Sequence, residues 1–173
     1  MQTSSASPKY APAIDEPQYR APTEAPDTDS RQRWMAILAR SDIDTLETAW
    51  KELERPPAYT WLRRPETGLV MLRARIGGSG AKFNLGEASV TRCTLRTASG
   101  FTGVSYLLGR SHRHAELAAL FDALLQDKAR CAERQHGLIA RLAATQAGRR
   151  DEAGRKAAAT KVDFYTIVRG ENP

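Results

Sequence analysis

The hydrophobic period of this chain changes abruptly at Pro56-Pro57, and that change restricts the fold more than any other feature. Upstream, apolar residues recur at helical spacing. Trp34, Ile37 and Leu38 share one face behind a Ser30 cap, and Leu46, Trp50 and Leu53 fall at i, i+4 and i+7 behind Ser41 or Asp42. Neither proline nitrogen can donate a hydrogen bond, and the residue before each proline is pushed out of the α region, so the second helix has to stop there. Downstream the period is two. Residues 59–63 read as a first strand and residues 69–76 as a second, with Val70, Leu72, Ala74 and Ile76 facing one way and Arg73 and Arg75 the other. The run Gly77-Gly78-Ser79-Gly80 turns the chain into a third strand over residues 82–97, in which Gly86 interrupts the alternation and marks a bulge or a close backbone approach. Ser99-Gly100 makes the next turn, and residues 101–108 form a fourth strand. Strands joined by tight turns, with no crossover helix, predict an α+β fold built on an antiparallel four-stranded meander.

Ser111 then caps a long helix whose Leu117, Leu120, Phe121, Leu124 and Leu125 make a stripe able to cover the apolar face of the sheet. The pattern continues to Thr145, which implies a helix of about 50 Å at about 1.5 Å per residue, longer than the domain needs. Its far end is therefore expected to leave the core and dock elsewhere. Gly148 and Gly154 bracket a charged connector, after which Val162, Phe164, Thr166 and Val168 alternate with Tyr165 and Ile167 as in a strand. Three parts follow: a Pro/Ala-rich tail over residues 1–28, too poor in apolar area to offset its ordering entropy; a core domain over 29–147; and a connector with a strand-like arm over 148–173. The arm, with Val162, Phe164, Tyr165, Val168 and Arg169, is the expected subunit-docking segment.

Composition removes several functions. A chain of 173 residues, 41% hydrophobic, is enough for one domain that buries roughly two-thirds of its unfolded surface. No apolar run is long enough for a membrane span or a signal peptide, which predicts a cytoplasmic protein. Cys93 and Cys131 stand far apart with no Cys-x-x-Cys or Cys/His ligand spacing, so neither a zinc nor an iron–sulfur site is expected from this chain alone. The net charge of +6 comes from 26 Lys+Arg, of which twenty are Arg. Arg favours paired or interfacial sites, although a coding bias toward Arg explains the count equally well without a site.

Three constellations could carry chemistry. The amides of Gly77, Gly78 and Gly80, near Lys82, could form an anion nest, but the spacing is not that of a P-loop and a plain hairpin turn is the favoured reading. Arg73 and Arg75, with Arg92 and Arg96 on the neighbouring strand, could cluster on one sheet face to meet phosphate or an acidic partner; a solvated outer face is the plain alternative. Arg110-Ser111-His112-Arg113-His114-Ala115-Glu116 opens the long helix, where amides and dipole favour an anion. His114 and Glu116 are the catalytic candidates there, with capping and interface hydrogen bonds the favoured roles. His112 and Glu116 sit four apart as metal ligands can, but two ligands without a third do not make a site. A basic nucleic-acid-binding module is the alternative function, weakened by the lack of a recognition helix dense in basic residues and of stacking aromatics flanked by Lys and Arg.

The dense mixture of glycine and arginine over residues 65–87 resembles the signature of the PhnG family, the smallest of the four kinds of chain in the bacterial carbon–phosphorus lyase core complex. Further blocks agree in order: Arg33-Trp34-Met35, Val90-Thr91-Arg92-Cys93, Gly109-Arg110, His114-Ala115-Glu116, Asp122-Ala123-Leu124, Thr160-Lys161-Val162-Asp163-Phe164 and Val168-Arg169-Gly170. The resemblance implies an accessory or scaffolding subunit in the catabolism of organophosphonates, without catalytic residues of its own. Its implied partners are a nucleosidase-like subunit, a third core subunit, a radical lyase subunit and an ATP-binding-cassette-like protein. The resemblance implies that the nucleosidase-like subunit, acting with this chain, the third core subunit and the ATP-binding-cassette-like protein, replaces the adenine of ATP by a phosphonate to give a ribose 1-phosphonate 5-triphosphate. The implied lyase partner later breaks the carbon–phosphorus bond with S-adenosylmethionine and an iron–sulfur cluster. No cofactor, nucleic acid or membrane is implied for this chain alone. Ser111 stands where the family shows Asp, which keeps the capping oxygen and loses its charge.

Overall fold

The computed structural model describes residues 27–76 and 79–161, without the side chains of residues 128–136. The Pro-rich tail, Gly77 and Gly78, and the arm bearing Val162, Phe164, Tyr165, Val168 and Arg169 lie outside the described residues. In chain order come α1 (Thr28–Leu38), α2 (Ile43–Lys51), β1 (Tyr59–Arg75), β2 (Lys82–Thr97), β3 (Thr102–Leu108), α3 (His112–Gln126) and α4 (Lys128–Ala159). The class is α+β, and among the described residues there is one antiparallel sheet, of order β1-β2-β3.

Three strands stand where four were expected, because the first two are one. β1 runs unbroken through Pro65, with register irregularities between Trp61 and Arg63 and between Arg63 and Glu66. Pro65 is tolerated because β1 lies at a sheet edge, where a missing N–H costs no ladder bond. Another irregularity, between Leu72 and Arg73, leaves Leu85 without a Cα partner beside Gly86, the bulge anticipated at that glycine. α1 starts earlier than expected: Asp27, not Ser30, is the cap, and its carboxylate accepts from the Ser30 amide at 3.2 Å. α2 is capped by Asp42 and already ends at Lys51, ahead of the prolines.

The long terminal helix is two helices. Asp127 (φ −86°, ψ 86°) breaks the run, and α4 then brings Leu138 and Leu142, each 4% exposed, back to the same core as Trp34 and Leu38 of α1. A straight rod would leave those leucines in water, and burying each stabilises the fold by about 1.5–3 kcal/mol. Beyond Gln146, whose side chain donates to the Ile37 carbonyl at 2.8 Å, α4 stays helical and exposed to Ala159. Gly148 and Gly154 therefore lie inside a helix, where a flexible connector was expected; the Lys156–Glu152 pair at 2.8 Å braces that stretch.

The core lies between α3 and one face of the sheet. Cys93 and Leu95 of β2, Gly103, Ser105 and Leu107 of β3, and Leu117, Leu120 and Phe121 of α3 are all buried. Gly103 sets the spacing: a Cβ there would overlap the backbone carbonyl of Ala119, so only glycine lets α3 lie this close. Asp122, fully buried, fastens the layers. It accepts from Arg31 (2.7 Å), Trp34 Nε1 (2.9 Å) and the Val104 amide (2.9 Å), joining α1, α3 and β3.

Candidate functional site

Face assignment decides which arginines can act together. Along the regular stretch of β1, Glu66, Gly68, Val70 and Leu72 pair with Arg92, Val90, Ala88 and Gly86, and all point away from the helices. The helix-side face carries Thr91, Cys93 and Leu95, and its continuation along β1 is Thr67, Leu69, Met71, Arg73 and Arg75. The expected cluster of Arg73, Arg75, Arg92 and Arg96 therefore does not form, because Arg92 and Arg96 project from the opposite face. The apolar set Val70, Leu72, Ala74 and Ile76 is likewise on the outer side, not beneath the helix. β3 pairs with β2 only as far as Val90 and Leu108, so beyond that point β1 and β2 project as a two-stranded ribbon. Its Leu69 (62% exposed), Met71 (52%), Leu85 (62%) and Ile76 (72%) are uncovered.

Arg92 pairs with Glu66 at 2.6 Å, and Arg63 reaches the same carboxylate at 2.7 Å. These two guanidinium bonds, Arg63 first, hold the Glu66 carboxyl below its ordinary range. Arg110 turns instead to the helix-side face, where its Nε donates to Ser89 Oγ at 3.2 Å. Ser89 is the cross-strand partner of Leu69, and Arg73 lies about 13 Å further along β1 at roughly 3.3 Å per residue. Arg73, Arg75 and Arg110 thus share one exposed face with Leu69 and Met71, running from the start of α3 out along the ribbon. Arg75 also donates to the Gly80 carbonyl at 3.0 Å, and the Gly80 amide is taken by Ile76 O at 2.9 Å. With that amide used to close the hairpin, Gly80 is not available to an anion nest.

The polar groups opening α3 are committed to internal bonds. Thr91 Oγ1 donates to the Gly109 carbonyl at 2.7 Å, which spends its one proton. Thr67 must then donate to Thr91 (3.1 Å) and accept from His112 Nε2 (3.0 Å), so the whole chain points toward Gly109 and fixes an Nε2–H imidazole. His114 Nε2 lies 2.9 Å from the Leu38 carbonyl, an acceptor only, and so carries hydrogen as well. Glu116 accepts from the Tyr59 hydroxyl at 2.5 Å and from Arg113 at 3.0 Å; Arg113 also grips Glu47 at 2.7 Å. Burial, and then the Glu116 carboxylate, raise the Tyr59 hydroxyl well above its ordinary range. His112 and Glu116, four apart in sequence, serve different partners, and among the described residues no three metal-ligating side chains come together. Cys93 is buried, and desolvation pushes its thiol up to about 12.

This face offers guanidinium groups and apolar area, with Glu87 across from Met71 and Lys82 across from Arg75, an arrangement suited to holding something in place. Sequence reasoning missed Asp122, Gly103, Thr67 and Thr91, the residues that set this geometry; Asp122, Thr67 and Thr91 stood only inside matching stretches. Residues 29–170 match the family described as "Phosphonate metabolism protein PhnG". The chain belongs to the PhnG family. A PhnG relative from Rhizobium meliloti (strain 1021), "Alpha-D-ribose 1-methylphosphonate 5-triphosphate synthase subunit PhnG", is 46% identical over 145 residues, which cover 82% of this chain and 90% of the relative. The matched PhnG span takes in α1 to α4, including the whole ribbon and the α3 start.

Proposed function

We propose that this chain is a subunit of a carbon–phosphorus lyase core complex and acts as an assembling subunit in making a ribose 1-phosphonate 5-triphosphate from ATP and a phosphonate. The observation that carries this reading is the 46% identity to a synthase subunit over 90% of that relative's length. The accessory role is supported by the commitment of His112, His114 and Glu116 to internal hydrogen bonds. In this reading Arg73, Arg75 and Arg110 meet an acidic partner surface or the substrate's triphosphate, with Leu69 and Met71 supplying apolar contact. The arm with Val162, Phe164, Tyr165, Val168 and Arg169 docks on a neighbouring subunit. The partners are the nucleosidase-like, third core and radical lyase subunits and the ATP-binding-cassette-like protein. ATP, S-adenosylmethionine and the iron–sulfur cluster are held by those partners, in the cytoplasm, and no cofactor is held by this chain.

The test is co-expression of a tagged chain with its three core partners and the ATP-binding-cassette-like protein, followed by chromatography with mass measurement and an assay of adenine release from ATP. The assembled complex should release adenine when given a phosphonate, and a His114→Ala complex should do so at the same rate. Adenine release by the pure chain would overturn the accessory role.

A further inference from the structure

β3 closes the described sheet on one side, and half of its outer edge is open. The Thr102 carbonyl accepts from Gln126 (2.8 Å) and Arg31 (3.2 Å), and the Val104 amide donates to Asp122. These bonds show that Thr102 and Val104 aim their backbone groups away from β2, and by the alternation of the ladder Tyr106 and Leu108 do the same. Past the Val104 amide this protection ends: the Val104 carbonyl, both backbone groups of Tyr106 and the Leu108 amide meet no partner among the described residues. Edge strands are ordinarily blunted by charge or proline, yet Thr102–Leu108 contains neither. Tyr106 is 52% and Leu108 73% exposed.

Beside this edge runs a groove of about 340 Å³ between β3 and the C-terminal half of α1. Met35, Leu38, Ala39 and Ala118 line it, and Arg40, exposed, is its one charged lining residue. We propose that the open half of β3 and this groove form one docking site for an extended strand of a partner subunit, paired edge to edge, with alternate apolar side chains seated on α1 and a carboxylate facing Arg40. This rests on the subunit reading above. Only an extended backbone presents donors and acceptors in step with an open edge, and the apolar lining selects the side chains that point inward.

Charge and reach disfavour the nearer occupants. Two copies of a chain with net charge +6 repel, and no lining residue offers Arg40 a carboxylate. The chain's own C-terminal arm leaves α4 about 20 Å beyond Gln146 at about 1.5 Å per residue, so a return at about 3.3 Å per residue would use roughly six of the residues that follow Ala159 before any pairing.

The experiment is amide hydrogen exchange on the chain alone and on the complex with its three core partners. The Tyr106 and Leu108 amides should exchange freely in the isolated chain and at least about 100-fold more slowly in the complex. Tyr106→Pro, which removes an outward-facing N–H without taking a bond from β2, should abolish assembly, while Tyr106→Ala, which loses the same ring but keeps the N–H, retains it. A complex whose Tyr106 and Leu108 amides remain fast overturns the proposal and leaves the subunit reading intact. Failure of the wild-type chain to form any complex overturns both. Protection already present in the isolated chain overturns the partner strand, in favour of the chain's own arm if independent of concentration and of a second copy if it grows with concentration.

Discussion

β2 belongs to two different environments along its length. From Thr91 to Thr97 its helix-side residues are at most 4% exposed, locked under α3; from Lys82 to Glu87 all are exposed, and the strand has only β1 for company. The sequence is no more polar in the second stretch, where Phe83 and Leu85 stand. The difference is what covers it. An isolated two-stranded ribbon is marginal in water, so a protein that projects one with Leu69, Met71, Leu85 and Ile76 uncovered carries surface suited to a partner. The covered half is built for stability, and the ribbon for attachment.

Two substitutions in the covered half should break it. Gly103→Ala puts a methyl group into the Ala119 carbonyl, so α3 must lift off the sheet; the expected cost is about 3 kcal/mol or more, with a fall in Tm of roughly 10 °C or loss of soluble protein. Asp122→Ala leaves the Trp34 indole, the Val104 amide and Arg31 without their acceptor, and about 3 kcal/mol should be lost in urea titration. A wild-type midpoint in either variant would mean that the α3 layer is not what holds the sheet.

How much of this was legible in the sequence follows the same division. Period and turn glycines located β2 within its observed bounds and marked the Gly86 bulge, because both are local effects. Asp122 carried no local signal of its role, because its three donors arrive from α1 and β3, far away in sequence. The face of Arg73 was misjudged for a related reason: alternation tells which residues share a side but not which side the helix takes, and here the more apolar side of the ribbon is the outer one. The break at Asp127 was hidden because the helical pattern continues on both sides of it, and only the burial of Leu138 and Leu142 against α1 shows why the chain turns. At the candidate site, Arg110 and the α3 start were visible as a motif, whereas the commitment of His112 to Thr67 depends on strand pairing.

The ribbon should respond in the opposite way. Leu69→Ser with Met71→Ser removes exposed apolar area, so Tm should stay within a degree or two, a change of at most about 0.5 kcal/mol, while assembly with the partner subunits weakens at least tenfold. Arg73→Gln with Arg75→Gln should do the same and make the residual binding less sensitive to salt, since two of the three guanidinium charges on that face are gone. Unchanged assembly in both double variants, measured by titration of the partners, would remove the ribbon from the interface.

The smallest effect compares the two regions through their carboxylates. Glu47, held by Arg113 beside the covered half, and Glu66, held by Arg63 and Arg92 on the outer face, both titrate below the ordinary value of 4.5. A lowered carboxyl binds fewer protons folded than unfolded, so its stabilisation is present above pH about 4.5 and fades as pH falls through the folded value. Melting curves between pH 6 and pH 3, in steps of about half a unit, should therefore show Tm falling with acid. Replacing either glutamate by Gln, which resembles the protonated acid, should flatten that fall by lowering Tm slightly at neutral pH and leaving it unchanged near pH about 3, because exposed pairs contribute little. Glu47→Gln should flatten it more: its side chain is 28% exposed against 47% for Glu66, and its partner Arg113 also ties Tyr59 to the core through Glu116. The reverse order would place the stronger electrostatic tie on the outer face, and the contrast between a stabilised half and an attaching half would then fail at the level of charge.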